Sequence, residues 1–140
     1  MAIPQQQETV LDSHVIHQDT DVMTAVMSMY TLAQQRGFTP PVVSELTTVV
    51  SELATNILKY ASHGAITFFD VTDDTRSGLK ITARDDGPGI EDIEQALTDS
   101  FSTGKTLGLG LPGIRRMVDE FDIDAPLGEG TQVDVVKWRR

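Results

Sequence analysis

Three polar side chains with helical spacing could together carry out phosphoryl transfer. Glu52, Asn56 and Lys59 lie in the segment 51–60, and on a helix residues three and four positions apart share a face. A carboxylate can take a proton, an amide oxygen can bind a hard cation and an ammonium group can contact phosphate. Taken alone, this spacing is also typical of a solvated helix face. The interpretation therefore depends on the glycine motifs that follow.

The second motif is Asp86-Gly-Pro-Gly89, which follows a segment predicted to be a strand. Glycine allows the backbone to pass close to a ligand. A carboxylate accepts hydrogen bonds but cannot donate them, so Asp86 can pair with the exocyclic amine of adenine and would face only an acceptor in guanine. The motif therefore predicts selection for adenine, although in isolation it is also typical of an ordinary turn.

The third motif is the glycine-rich segment 103–113. Gly104-Lys105-Thr106 is similar to the end of a P-loop, but Asp99 stands where the first glycine is required and a short polar helix is predicted before it. Gly108-x-Gly110-x-x-Gly113 matches the dinucleotide fingerprint, yet it also lacks a preceding hydrophobic strand. What remains is a loop whose amides, with a helix N-terminus, can hold phosphate, and Lys105 could reach the same phosphate.

Composition indicates a single domain spanning residues 1–140 that needs no covalent cross-link. The chain has no cysteine, which excludes disulfides and thiolate metal sites and suits a reducing cytoplasm. The absence of a signal-like start and of a long apolar run predicts a soluble protein with no membrane segment. With 11 basic and 21 acidic side chains, the net charge of -10 argues against nucleic acid as a partner.

Hydrophobic periodicity and turn residues predict the order βααββααββ, which indicates an α+β sandwich of two layers. The expected strands are 9–17, 65–72, 79–85, 121–124 and 131–138, and the expected helices are 19–37, 40–60, 92–97 and 112–120, with a polar loop at 98–110. The methionines Met23, Met27 and Met29 are interpreted as packing residues of the first helix. His63 is interpreted as a loop residue.

The motifs together resemble the four boxes of the GHKL ATPase superfamily, which includes histidine kinases and gyrase. The resemblance rests on Glu52-x3-Asn56-x2-Lys59-Tyr60, Asp86-Gly-Pro-Gly-Ile90, the loop Gly104 to Gly113 and Gly130-Thr131. It covers residues 10–138. Because no dimerisation helix or phosphoacceptor region is visible, the chain is most similar to the small anti-sigma-factor serine/threonine kinases, and among these to the switch kinases of the bacterial stressosome.

This resemblance implies a Bergerat fold, with a mixed, mostly antiparallel sheet and helices on one face. It implies that Glu52 is the general base, that Asn56 binds Mg²⁺ and that Asp86 reads the adenine amine, with residues 98–110 as an ATP lid. Thr131 would assist through its hydroxyl. The implied ATP-binding residues are Asn56, Lys59, Tyr60, Asp86, Gly87, Gly89, Ile90, Gly104, Lys105, Thr106, Gly108, Leu109, Gly110 and Thr131.

Three functions are compatible with these residues. The first is an ATP- and Mg²⁺-dependent serine/threonine kinase of the bacterial general stress response. Its implied partners are STAS-domain proteins, as substrate and scaffold, and a phosphatase regulatory domain. The second is a non-catalytic, ATP-gated binding module, against which the presence of Glu52 argues. The third is an anti-sigma-factor kinase that also sequesters a sigma factor, and it would differ from the first only at its surfaces.

Overall fold

The structure is a computed structural model, and it describes residues 6–61, 63–89, 97 and 110–140. These residues contain five strands and three helices. The elements in chain order are β1 (Gln7–Ile16), α1 (Asp19–Gln35), α2 (Pro40–Tyr60), β2 (Gly64–Thr72), β3 (Ser77–Asp85), α3 (Gly110–Met117), β4 (Glu120–Asp124) and β5 (Thr131–Trp138).

The strands form one sheet in the order β1-β2-β3-β5-β4. All pairings among the described strands are antiparallel, whereas the resemblance implied a mixed, mostly antiparallel sheet. Side chains alternate between the two faces of a strand, and the inward positions of β2, β3 and β5 join α1, α2 and α3 in one hydrophobic core. The expected α+β sandwich, with helices against one face of the sheet, is confirmed.

The ends of the two long helices follow from local sequence. The Asp21 carboxylate accepts hydrogen bonds from the backbone N–H groups of His17 (2.9 Å) and Gln18 (3.0 Å), which satisfies donors at the start of α1. Gly37 follows α1 with a φ of 79°, a conformation that favours glycine after a helix. Prolines at the start of α2 lack the N–H that would otherwise go unpaired there.

The face of the sheet away from the helices carries a small apolar cluster of its own. Phe69, Val71, Val136 and Trp138 pack together there. The guanidinium of Arg76 lies 4.0 Å from the centroid of the Trp138 ring, and the indole N–H donates to Glu120 at 2.6 Å. This cluster lies towards the end of the sheet where β3 begins. The Asp86 motif follows the last residue of β3 and therefore lies at the opposite end.

Two sequence expectations about helices are corrected. The last helix begins at Gly110 and ends at Met117, instead of spanning 112–120. The helix stops because Asp119 makes two hydrogen bonds to β5. Its backbone N–H donates to the Val136 carbonyl (2.9 Å), and its carboxylate accepts from the backbone N–H of Trp138 (2.7 Å). Glu120 then starts β4. Residues 92–96 of the expected helix 92–97 and residues 98–109 of the expected loop 98–110 lie outside the described residues.

The methionine interpretation is correct only for Met29. Met29 is fully buried, whereas Met23 and Met27 are 64% and 65% exposed. The helix α1 packs through Ala25, Met29 and Ala33, and Met23 and Met27 lie on the side of the helix away from this stripe because they are offset from it by about half a turn.

Candidate functional site

Helix α2 holds the first group of candidate residues. Glu52 and Asn56 are half-buried, while Lys59 and Tyr60 at the end of the helix are exposed. The apolar stripe that anchors the helix consists of Val43, Leu46, Val49, Val50, Leu53, Ala54 and Ile57. Because Glu52 and Asn56 lie beside this stripe, they are held on a rigid element without being enclosed by it.

The side chains of Glu52 and Asn56 make no hydrogen bond or ion pair within the part of the chain that the structure describes. Each therefore keeps its acceptor capacity for another molecule. At the end of the same helix, the Lys59 ammonium lies 5.1 Å from the centroid of the Tyr60 ring, which places a cation and an aromatic face side by side.

The Asp86 loop lies directly against the end of α2. Asp85, the last residue of β3, accepts a hydrogen bond on Oδ1 from the Gly87 N–H at 2.9 Å, which tightens the turn. A Cβ added to Gly87 would lie 2.8 Å from the Cβ of Ala61, the residue after α2. Only glycine fits at this approach, so the loop and the helix that carries Glu52 and Asn56 are brought together by contact.

The connection between β4 and β5 forms the third part of the site. The Gly128 N–H donates to the Pro88 carbonyl at 2.9 Å. Gly89, with a φ of 78°, lies so close to this connection that a Cβ would meet the Pro126 carbonyl at 2.4 Å. Thr131 begins β5 and pairs with Asp85, the residue before Asp86. The predicted residues Asp86, Gly87, Gly89 and Thr131 therefore lie at one end of the sheet.

Asp86 has a partner that the sequence interpretation missed. Its Oδ2 lies 3.1 Å from Nε2 of His63, and the two side chains are 67% and 56% exposed. The His63 ring meets the ring of His17 edge to face, with centroids 6.4 Å apart. The signal for this contact was present in the hairpin, because Gly64 pairs with Asp85 at the end of the ladder, and His63 and Asp86 are the next residue on each chain segment.

Part of the predicted ATP-binding set cannot be placed in this site. Ile90, Gly104, Lys105, Thr106, Gly108 and Leu109 lie outside the described residues. Gly110 is described, and it begins α3 with a φ of 66°. Helix α3 contacts α2 and buries Gly113 and Ile114. The C-terminal end of the glycine-rich segment is thus fixed against the helix that carries Glu52 and Asn56.

The donor atoms of the site fit a small divalent cation that also binds phosphate. Mg²⁺ prefers oxygen ligands and is commonly held by one or two protein groups together with substrate phosphates and water. The Asn56 amide oxygen and the Glu52 carboxylate are oxygen donors on one helix face. Among the described residues no cluster of three or more His, Cys, Asp or Glu side chains is arranged to hold a metal by itself.

Comparison with known proteins assigns the chain to a family. Residues 17–137 match the histidine kinase-like ATPase domain. The chain is 43% identical over 120 residues to the serine/threonine-protein kinase RsbT of Bacillus subtilis (strain 168), covering 86% of this chain and 90% of that protein. The anti-sigma F factor of Thermoanaerobacter sp. (strain X514) is 32% identical over 101 residues, which cover 69% of this chain and 70% of the relative.

The chain belongs to the histidine kinase-like ATPase family. A second anti-sigma F factor, from Anoxybacillus flavithermus, is 32% identical and covers 68% of each chain. The resemblance inferred from the motifs, the fold that it implied and the enzyme class, a serine/threonine protein kinase, are confirmed at this level. None of the helices that the structure describes is long and apolar enough to cross a membrane.

Proposed function

We propose that residues 1–140 form one domain that acts as an ATP- and Mg²⁺-dependent serine/threonine protein kinase in a bacterial stress response, and that phosphorylation switches its binding partners. The observation that carries this proposal is the meeting of three segments at one end of the sheet: the Glu52 and Asn56 face of α2, the Asp86 loop, and Thr131. The 43% identity to a serine/threonine kinase supports it.

Adenine is the base that the Asp86 carboxylate would select. Its exposed side chain offers acceptors only, which suits the adenine amine and opposes the oxygen at the same position of guanine. The Thr131 hydroxyl would support the same contact from β5. Tyr60 would contact the nucleoside and Lys59 the phosphates, while Gly87 and Gly89 would let the backbone approach the base.

Magnesium would be bound by Asn56, whose amide oxygen has no protein partner among the described residues. When bound, Mg²⁺ would neutralise charge on the phosphates during transfer. The residues Gly104, Lys105, Thr106, Gly108, Leu109, Gly110 and Ile90 complete the proposed ATP-binding set.

Glu52 would act as the general base. Its carboxylate would accept the proton of an incoming serine or threonine hydroxyl as the oxygen forms a bond to the γ-phosphorus and the bond to the ADP oxygen breaks. Its half-buried carboxylate has no hydrogen-bond or ion-pair partner among the described residues, so its oxygens are available to a substrate hydroxyl. The phosphoryl group would pass directly to the protein partner.

The proposed substrates are STAS-domain proteins, with a STAS-domain scaffold and a phosphatase regulatory domain as further partners, in the cytoplasm. A test begins with co-purification from native lysate and identification of the captured proteins by mass spectrometry. A captured STAS-domain protein is then incubated with the purified chain and radiolabelled ATP. We expect acid-stable phosphoserine or phosphothreonine on the partner. If the partner stays unlabelled while its affinity still responds to ATP, the kinase assignment is wrong and the protein is an ATP-gated binding module.

A second function is favoured by the relatives named anti-sigma F factor, at 32% identity. Such a protein would phosphorylate an antagonist and also hold a sigma factor. Both functions need the same ATP site, so they differ in the captured partner. Recovery of a sigma factor in an ATP-dependent complex would favour this second function.

A further inference from the structure

His63 meets Asp86 at the base-reading end of the site, where the resemblance assigns it no role. Its Nε2 lies 3.1 Å from Asp86 Oδ2, a polar contact between the two side chains. No other side-chain hydrogen bond or ion pair to Asp86 is made by the residues that the structure describes. One oxygen of the carboxylate therefore lies beside an imidazole, and no side chain of the described residues contacts Oδ1.

The backbone brings these two residues together on both sides of the contact. Gly64, directly after His63, approaches β3 so closely that a Cβ would lie 2.3 Å from the Arg84 carbonyl. Gly87, directly after Asp86, also approaches the end of α2, where a Cβ would lie 2.8 Å from the Ala61 Cβ. These two close approaches hold the backbone on either side of the pair, so His63 and Asp86 are kept near each other by the backbone as well as by their side chains.

His17 supports the imidazole from a second segment. Its ring lies edge to face with His63, at a centroid distance of 6.4 Å, in an arrangement that aromatic rings favour. The backbone N–H of His17 is fixed in turn by the Asp21 carboxylate at the start of α1. Within the described part of the chain, His63 thus contacts one carboxylate, from the end of β3, and one ring, from the turn between β1 and α1.

We propose that His63 is a positioning residue that orients the Asp86 carboxylate for adenine. The inference rests on the proposed ATP-binding function and deepens it. When the Nε2–H donates to Oδ2, the plane of the carboxylate is restrained and Oδ1 points its lone pairs at a second donor, which the adenine amine supplies. A restrained acceptor loses less rotational freedom when the base binds. His63 would therefore strengthen binding of a purine with an amine at position 6 and leave a 6-oxo purine unaffected.

The size of the effect is limited by the exposure of both side chains. Exposed ion pairs and hydrogen bonds contribute little because water competes for them, so we expect a change of about twofold to fivefold in nucleotide affinity. That range can be measured by calorimetric titration. It is also well below the effect expected from removing the Asp86 carboxylate itself.

The test compares His63→Ala, His63→Gln, Asp86→Asn and the double variant His63→Ala/Asp86→Asn in the full chain. Titration uses Mg·ATP and Mg·ITP, which differ at position 6 of the base. We expect His63→Ala to weaken ATP by about twofold to fivefold and to leave ITP unchanged. Glutamine can present its Nε2 as a donor and is expected to restore ATP affinity.

The double variant decides whether His63 acts through Asp86. If it does, His63→Ala has no further effect once Asp86 is Asn, and the two changes are not additive. Three outcomes would each overturn the inference. His63→Ala could weaken the binding of ATP and ITP equally, it could weaken ATP binding as much in the Asp86→Asn background as in the wild type, or it could leave the ATP affinity unchanged. An unchanged ATP affinity in Asp86→Asn would instead remove the proposed adenine contact on which the inference rests.

Discussion

Asp85 and Thr131 are direct partners across β3 and β5, so the last residue of one strand lies beside the first residue of the other. The same register brings Gly130 next to Asp86. A Cβ on Gly130 would lie 2.1 Å from the Asp85 carbonyl and 3.0 Å from the Asp86 Cα. The position of the proposed base-reading carboxylate therefore depends on a glycine that is distant in sequence.

Replacing Gly130 by alanine is expected to destabilise the protein more than the same change at Gly128. Both residues have positive φ, 86° and 79°, so both variants carry a left-handed strain of roughly 1–2 kcal/mol. A Cβ at Gly128 meets nothing within 4 Å, whereas at Gly130 it collides with backbone, and overpacking adds typically about 1–3 kcal/mol. Thermal unfolding measures the difference, and equal melting temperatures would contradict the close approach.

Replacing Asp86 by asparagine is expected to weaken ATP binding by about tenfold to a hundredfold, because a hydrogen bond to a charged group contributes roughly 1.5–3 kcal/mol. GTP should compete poorly with ATP on the wild-type protein. Asp74→Asn is the matched control, since Asp74 is an exposed acid in the turn at the far end of β2 and β3. Calorimetry that finds the same ATP affinity in Asp86→Asn and Asp74→Asn would falsify the adenine assignment.

Local sequence was sufficient to predict α2 and the β2 to β3 hairpin. The prolines at 40 and 41 start the helix, and the turn at 73–76 is fixed by the Asp73 carboxylate, which accepts from the Arg76 N–H at 2.8 Å. This carboxylate also binds the Arg76 side chain, which lowers the pKa of Asp73 to about 2. Such contacts join residues that are close in the chain, so a sequence pattern contains them.

Tertiary contacts account for what the sequence did not predict. The end of α3 is set by Asp119, whose hydrogen bonds reach Val136 and Trp138 on another strand. The contact between His63 and Asp86 also joins two separate segments, and it becomes predictable only when the hairpin register is fixed to the residue. Periodicity predicts that a helix has a buried face, but it did not identify Met23 and Met27 as exposed.

The Asp12 carboxylate should make stability depend on pH through Ser28. The Ser28 hydroxyl donates to Asp12 Oδ2 at 2.6 Å, and this bond lowers the pKa of Asp12, helped by the charge of His14 and opposed by burial. A carboxyl whose pKa is lower in the folded state stabilises the protein above the unfolded pKa of about 4, and this contribution is lost as pH falls through the folded value.

Ser28→Ala is therefore expected to raise the pKa of Asp12 towards its ordinary value and to lower stability at neutral pH. The stability difference from wild type should shrink as the pH falls below about 4, because Asp12 becomes protonated in both proteins. Titration of the Asp12 carboxyl by nuclear magnetic resonance measures the pKa directly. Thr24→Ala is a control on the same helix, since the Thr24 hydroxyl donates to the Thr20 carbonyl and not to Asp12. An unchanged Asp12 pKa in Ser28→Ala would contradict the assignment of this bond as the main cause.

Glu52 and Asn56 share a face of α2, yet their variants should fail in different steps. Glu52→Gln keeps the shape of the side chain and removes the base, so nucleotide and partner binding should persist while phosphate transfer falls by about 10²- to 10⁴-fold. Asn56→Ala removes the proposed magnesium ligand, so Mg²⁺-dependent ATP binding should be lost as well. The measurements are calorimetric ATP titrations with and without Mg²⁺, and transfer of label to the captured partner.

Two variants on the same helix serve as controls for this comparison. Glu45→Gln makes the same charge change at a residue whose carboxylate lies 3.9 Å from Lys137, and Thr55→Ala truncates an exposed neighbour of Asn56. Both should bind ATP and transfer label as the wild type does. If Glu52→Gln transfers phosphate as fast as Glu45→Gln, the carboxylate is not the base. If Asn56→Ala binds Mg·ATP as tightly as Thr55→Ala, the amide oxygen is not a metal ligand, and the shared helix face would then have to be assigned to partner binding.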